Sequence, residues 1–278
     1  MHYNICIVRP TAYIHSDAFL ELAEVLLHSL IDLGNSAVIN ENLIDTEGGR
    51  NIIIGCHLLD PAMDSVIPKD TIILNTEQIY ADNPSWHEPI YFWVKKFETW
   101  DYSERNIIKL NTLCSQTPKL LRIGHHSALE RIAPDQKKDI DVLFYGSTND
   151  RRIKILNELS RNNIVTKAVF GVYGKERDDL IARSKIVLNL HYFESKIFEI
   201  VRTFYLMINK KVIVSEVSPE THIPAEYLSG IVPAKYEDLV KTCKELLEDQ
   251  SRAHAQEIAA YNCIKKLPQS SFTKLLLF

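Results

Sequence analysis

Short runs of β-branched and aliphatic residues recur along this chain with helix-length stretches between them, and the series runs through twice. Residues 5–8 (ICIV) form the first run. A loop containing Pro10 follows, then Ser16 and Asp17, and then Phe19, Leu22, Ala23, Leu26, Leu27 and Leu30 at helical spacing. Gly34 ends that helix and residues 37–39 start another strand, which predicts the βαβ opening of a parallel sheet. Further runs at 51–55, 71–75, 99–100 and 120–123 are apolar on consecutive positions, as strands covered on both faces are.

The pattern restarts at residues 141–146 (DVLFYG). A helix is expected over 150–160, a strand over 168–170, a helix over 176–184, a strand over 186–190, a helix over 198–206 and a strand over 212–215, with helices over 236–248 and 252–264. Two alternating α/β series in 278 residues predict two doubly wound, Rossmann-like domains facing a central cleft. The polar segment from Ala133 to Lys138 reads as the linker. The expected division is therefore 1–132, an acceptor-side domain; 133–265, a nucleotide-binding domain; and 266–278, a tail packing back on the body.

A hydrophobic content of 46% and a charged content of 24% argue against disorder. A net charge of -4 gives no general attraction for nucleic acid. Five cysteines, Cys6, Cys56, Cys114, Cys243 and Cys263, include no CxxC pair and are odd in number, so a reducing cytoplasm is expected. The opening apolar stretch is too short for a signal-peptide core and reads as a buried strand. No run of about 18 apolar residues is present, which excludes a spanning helix and leaves peripheral membrane contact and homo-oligomerisation open.

The segment with most chemical content is DVLFYGSTNDRR, where a buried strand enters Gly146, Ser147, Thr148 and Asn149 and then opens a helix. Backbone N–H groups at a helix start beside a strand's carboxyl end suit phosphate oxygens, and Arg151 or Arg152 would add a charged contact. An ordinary turn with solvated arginines fits the same letters, since neither GxGxxG nor GxxxxGK is present. The next strand ends in Phe170, Gly171, Val172, Tyr173 and Gly174, a loop on which a base or ribose could lie, or a plain glycine turn. After the third strand come His191 and, further on, Glu199 and Arg202, three apart and on one helical face. A carboxylate there can accept from two ribose hydroxyls, while the guanidinium offsets diphosphate charge.

The order GSTNDRR, FGVYG, IVLNLHYFES and FEIVRTFYLMINKKVIVSE resembles the C-terminal domain of GT-B glycosyltransferases of the group 1 and CgeB-like kind, over about residues 140–216. In that family a glutamate near a helix start binds the ribose of a nucleotide sugar; the resemblance implies that role for Glu199. Together with the strand-end and helix-start readings above, this gives a donor site made of Gly146, Ser147, Asn149, Arg151, Arg152, Val172, Tyr173, His191, Glu199 and Arg202. The implied activity is transfer of a sugar from a nucleotide-diphosphate sugar to a carbohydrate, lipid-linked or protein acceptor, with no cofactor.

In the first half, His15 lies in the loop after the first strand and Glu77 after the run at 71–75, both placed to act as a base on an acceptor hydroxyl. A polar surface histidine and turn chemistry are the plainer readings. Asp101, after the run at 99–100, could likewise serve as a base, or Asp101 or Ser103 caps a helix. No metal site is expected: Asp139 and Asp141 form a DxD at a strand's start rather than its end, and the adjacent His125 and His126 diverge. The remaining readings are a non-catalytic protein of the same fold that binds glycans or a partner, and an NAD-dependent oxidoreductase, against which the missing GxGxxG argues.

Overall fold

The computed structural model describes residues 1–79, 84–133, 137–193 and 196–277. The chain divides into two compact units, Met1–Ala128 with Pro268–Phe278, and Leu129–Leu267.

In the first unit the elements run β1 (His2–Ile7), α1 (Leu20–Asp32), β2 (Ser36–Glu41), β3 (Arg50–Ile54), β4 (Ile72–Asn75), α2 (Pro84–Val94), β5 (Glu98–Asp101), α3 (Glu104–Leu110) and β6 (Lys119–Leu120). The sheet order is β2-β1-β3-β4-β5-β6, with every pairing parallel. Ile5, Ile7, Ile52, Ile53, Ile54, Ile72, Ile73 and Leu74 are fully buried, which is why these strands carry no polar alternation. One sheet face packs Cys6, Ile53 and Ile73 against Ile90, Trp93, Val94 and Phe97 around α2.

The second unit contains β7 (Ile140–Tyr145), α4 (Asp150–Arg161), β8 (Thr166–Val169), α5 (Gly174–Arg183), β9 (Ser184–Asn189), α6 (Ile200–Ile208), β10 (Val212–Glu216), β11 (Val232–Ala234), α7 (Leu239–Glu248) and α8 (Gln250–Lys265). Its order is β11-β10-β9-β7-β8, again all parallel. Counted from its own first strand, each unit thus begins 2-1-3-4-5. The direction of winding reverses between β1 and β3 in one unit and between β7 and β9 in the other. Open parallel sheets hold their ligands at the carboxyl ends beside such a reversal.

Alternation sorts the second sheet into two faces. Val142, Phe144, Ile186, Leu188, Leu190, Val212 and Val214 meet Ile155, Leu156 and Leu159 of α4 and Leu239, Val240, Cys243 and Leu246 of α7. Tyr145, Asn189 and Ser215 occupy the alternate positions and so lie on the opposite face.

The chain passes into the second unit at 128/129, four residues before the expected boundary. The reason is Asn209, the residue that closes α6: its Nδ2 donates to the Leu129 carbonyl, and its Oδ1 accepts from the backbone of Arg131 and Ile132. Of the expected linker, Pro134, Asp135 and Gln136 lie outside the described residues. The chain returns at 267/268, and α9 (Gln269–Leu277) belongs to the first unit. Thr273 there bonds Ser29 of α1, and the buried Gln269 side chain accepts from Gly124 and donates to the Arg122 carbonyl. Among the described residues no helix is long and apolar enough to cross a membrane.

Candidate functional site

β7 ends at Tyr145, and Gly146 follows with φ +135, a backbone conformation that side chains resist. There is also no space for one. A Cβ on Gly146 would lie 3.1 Å from Arg202 Nη2 and 3.7 Å from its Cζ and Nη1. Arg202, in the first turn of α6, lays its guanidinium over the Tyr145 ring at 5.2 Å. Its Nη1 is buried and has no hydrogen-bond partner.

Asn189, the last residue of β9, and His191 are two apart in extended chain and address the α6 side. Asn189 is fully buried; its Nδ2 donates to Ser215 Oγ, and its Oδ1 has no partner. His191 is 3% exposed, with Nε2 3.2 Å from Thr221 Oγ1 and Nδ1 unpartnered. Burial pushes its pKa down, so the ring is neutral at physiological pH. Three unsatisfied polar atoms, Arg202 Nη1, Asn189 Oδ1 and His191 Nδ1, thus lie on segments at the carboxyl edge of this sheet: the start of α6, the end of β9 and the loop after it. Buried polar atoms are ordinarily paired, and orphans along one edge mark where a ligand's polar groups fit.

The two arginines of α4 are spent differently from the expectation. Arg151 grips the Glu216 carboxylate through both Nη atoms and lies 4.0 Å over the Tyr236 ring. Glu216 is 2% exposed and also accepts from the His191 backbone N–H. Arg152 donates to the carbonyls of Ser147, Leu190 and His191, stitching the loop after β7 to the loop after β9. Burial, and next the Arg202 charge, lower its pKa to about 10 against the pull of Glu199. Asn149 Oδ1 accepts from the Arg152 N–H, so part of the expected amide cradle at Ser147–Asn149 is consumed by capping. Arg151 and Arg152 shape the edge, and Arg202 supplies the unsatisfied guanidinium nitrogen.

Glu199 stands one residue before α6, at φ -80 and ψ 57, and its carboxylate makes no capping bond. The helix was expected from residue 198. Glu199 O accepts from the N–H of Arg202, which holds the two residues at the same helix start. Gly171, Val172 and Tyr173 follow β8, the strand beside β7, with Gly171 at φ +70 and Tyr173 immediately before α5. All ten sequence-predicted donor residues thus lie on loops or helix starts at the carboxyl edge of one sheet. Glu216, Asn189 and Tyr236 were not singled out beforehand. For Glu216 the usable signal was a lone carboxylate ending an otherwise apolar strand.

In the first unit His15 lies in a short 3-10 helix, Ile14–Phe19, with its ring edge-on to Tyr13 at 5.2 Å. Gly55, at φ +89, ends β3, and the loop turns so that a Cβ there would meet Phe19 and Val8. His57 follows. Its imidazole is 2% exposed and its Nε2 lies 3.8 Å from Glu77 Oε1; burial pushes its pKa down to about 4. Burial and the Glu77 charge push the Tyr13 phenol up. His57 and Glu77 thus stand together at the carboxyl edge of this sheet, with Tyr13 on the loop after β1. Asp101, behind them, is fully buried and accepts from Asn75 Nδ2, Ser103 N and Asn106 Nδ2, while burial raises its pKa to about 7. Ser103 caps α3, as expected. Among the described residues no three His, Cys, Asp or Glu side chains gather as a metal cluster.

No protein-family model matches the chain. It is 28% identical over 187 residues to uncharacterized protein L140 of Acanthamoeba polyphaga mimivirus, covering 64% of this chain and 59% of that one. It spans three fifths or less of the curated relatives it matches. Among solved structures it is similar to Anabaena HepE in complex with UDP and glucose, TM-score 0.65 at 8% identity, with 98% of each chain covered. It is also similar to AviGT4, a glycosyltransferase involved in avilamycin A biosynthesis, TM-score 0.55 at 13% identity, covering 100% of this chain and 98% of that one. Sucrose-phosphate synthase from Thermosynechococcus elongatus gives 0.62 at 9% identity, with 100% and 98% covered. The fold is that of GT-B glycosyltransferases: two parallel sheets flanked by helices.

Proposed function

We propose that this chain is a glycosyltransferase that moves a sugar from a nucleotide-diphosphate donor, bound by the unit Leu129–Leu267, to a hydroxyl of a carbohydrate, lipid-linked or protein acceptor bound by the first unit. The observation that carries the reading is the Arg202 guanidinium over Gly146 with its Nη1 unsatisfied, at the same sheet edge as the unsatisfied Asn189 Oδ1 and His191 Nδ1. A side-chain-free glycine, a buried guanidinium and two hydrogen-bonding orphans at a winding reversal suit a diphosphate and the hydroxyls next to it. HepE was solved with UDP and with UDP-glucose, which favours a uridine donor.

In this reading Arg202 takes the leaving diphosphate oxygens. The bond from the anomeric carbon to the diphosphate oxygen breaks, that oxygen keeps the electron pair, and the guanidinium meets the charge as it develops. Glu199 accepts from the ribose hydroxyls, and the loop Gly171–Tyr173 lies along the base. Arg151 and Arg152 keep the phosphate loops rigid through Glu216 and the carbonyls of the β9 loop. The charge on the leaving group is met by the guanidinium and helix-terminal amides rather than by a metal. The acceptor oxygen bonds to the anomeric carbon and its proton passes to a base; Glu77 and His15 are the groups for that role.

The test is a thermal-shift panel of nucleotide sugars on the wild type, Arg202→Met and Glu199→Ala. One donor class is expected to raise the wild-type Tm by several degrees, as a ligand at a hundred times its Kd contributes about 2.7 kcal/mol. Both variants should lose most of that shift. Equal shifts in all three proteins would remove this edge from donor binding.

A further inference from the structure

Resting on the donor reading, we infer that the turn Ser218–Thr221 fixes the proton of His191 on Nδ1, and that Thr221 is a positioning residue through which the ring donates to a diphosphate oxygen. His191 is held by every polar atom but one. Its backbone N–H donates to Glu216 Oε2 at 3.0 Å, and its carbonyl accepts from Arg151 Nη1 and Arg152 Nε, both at 3.3 Å. Nε2 lies 3.2 Å from Thr221 Oγ1, while Nδ1, in a side chain 3% exposed, has no partner. A residue clamped in this way presents a single atom. What that atom can do depends on which ring nitrogen carries the hydrogen.

Burial lowers the pKa of the ring against the pull of Glu216 and Glu199, so the ring carries one proton. That the Glu199 charge acts on it also sets His191 in the neighbourhood of the carboxylate assigned to the ribose. Proton counting at the turn then places the hydrogen. Thr221 Oγ1 has one proton and two lone pairs, and three groups reach it: the Ser218 N–H at 3.1 Å, Ser218 Oγ at 3.1 Å and His191 Nε2. The backbone N–H can only donate. Ser218 Oγ in turn accepts from the Glu220 N–H at 3.3 Å. When the Ser218 hydroxyl donates to Thr221 and the Thr221 hydroxyl donates to Nε2, each of these protons is used within the protein and Nδ1 bears the hydrogen. In the opposite arrangement Nε2–H donates to Thr221, Thr221 donates to Ser218, and the Ser218 proton is left to solvent. Nδ1 is then a buried lone pair. The oxygens of a diphosphate accept and do not donate at neutral pH, so they satisfy Nδ1–H and leave a bare Nδ1 unsatisfied. Ser218 and Thr221 are the residues this assignment adds to the site.

The experiment uses the full chain, isotope-labelled at the histidine nitrogens, with His191→Ala assigning the resonances. Nitrogen chemical shifts report the tautomer, and titrations with UDP, GDP and the corresponding nucleosides report affinity. The wild type is expected to show a protonated Nδ1 and a bare Nε2, with Nδ1 moving when the diphosphate that binds is added. Thr221→Val, which removes the hydroxyl, should shift the tautomer toward Nε2–H and weaken that diphosphate about tenfold, the loss of one charged hydrogen bond, while leaving its nucleoside unaffected. Thr221→Ser, which restores the hydroxyl, should recover both tautomer and affinity. Glu220→Ala, which breaks the surface pair with Lys196 on the same turn, should alter neither. In a His191→Ala background Thr221→Val should cost nothing further. A wild-type ring with its proton on Nε2 in the bound state would overturn the inference. So would a Thr221→Val loss that extends to the nucleoside, is matched by Glu220→Ala, or adds in full to that of His191→Ala. Each of these outcomes leaves nucleotide binding intact and removes this assignment alone; failure of both UDP and GDP to bind the wild type would take the donor reading with it.

Discussion

Gly146→Ala should weaken nucleotide binding only through Arg202. The added Cβ lies 3.1 Å from Arg202 Nη2, tighter than ordinary contact, so the guanidinium must shift by a few tenths of an ångström. A shift of that size in a charged hydrogen bond costs on the order of 1 kcal/mol, about fivefold in Kd. Removing the guanidinium by Arg202→Met should cost about 1.5–3 kcal/mol, ten- to a hundredfold. Separately, φ +135 strains any side chain, and the alanine variant should lose about 1–2 kcal/mol of folding stability, read from a urea midpoint. The decisive assay is a double-mutant cycle on nucleotide affinity by calorimetry. In the Arg202→Met background, Gly146→Ala should have no further effect on Kd. Additivity within about 0.3 kcal/mol would show that Gly146 acts independently of Arg202 and would refute the reasoning.

Lys211 is 4% exposed and burial pushes its pKa down to about 8 from 10.5, its Nζ reaching only the Ala182 carbonyl at 3.4 Å. The unfolded chain therefore holds more protons between pH 8 and 10.5, so this group's contribution to stability rises with pH across that window and its full cost stands below pH 8. Lys211→Met should stabilise the protein by roughly 2–3 kcal/mol at pH 7 in urea titrations, with the gain shrinking from pH 8 upward and gone above about pH 10.5. Asp101 has the opposite sign: with its pKa raised from 3.8 to about 7, the folded state holds the extra proton between those values. Stability from this group falls as pH rises through the window, by up to about 1.4 kcal/mol per unit, and Asp101→Asn should flatten that slope.

The architecture was legible because its central strands are buried on both faces. Runs such as Ile52–Ile53–Ile54 and Ile72–Ile73–Leu74 have no other comfortable place. β11 escaped because it is three residues long with a proline at its centre, where neither propensity nor periodicity registers. The short 3-10 turns around His15 and His57 escaped for the same reason. Loop positions of the donor edge were readable from strand ends, since strand order puts every carboxyl terminus on one side. What each arginine does was not: Arg151, Arg152 and Arg202 look alike in sequence, and only the burial of Glu216 decides that one is spent on a protein carboxylate. That residues 129–132 go with the second unit was not legible, because Asn209, some 77 residues away, bonds the backbone of Leu129, Arg131 and Ile132.

The return of the chain at residue 268 bears on the order in which the molecule is made. During synthesis the later unit emerges as one unbroken stretch and can close as soon as it leaves the ribosome. The earlier unit must wait, its α1 flank uncovered at Ser29 and its Gly124 amide unpaired, until α9 follows the later unit out. The half that is translated first is therefore completed after the other, and a ribosome that stalls near residue 265 leaves the second unit finished and the first unfinished.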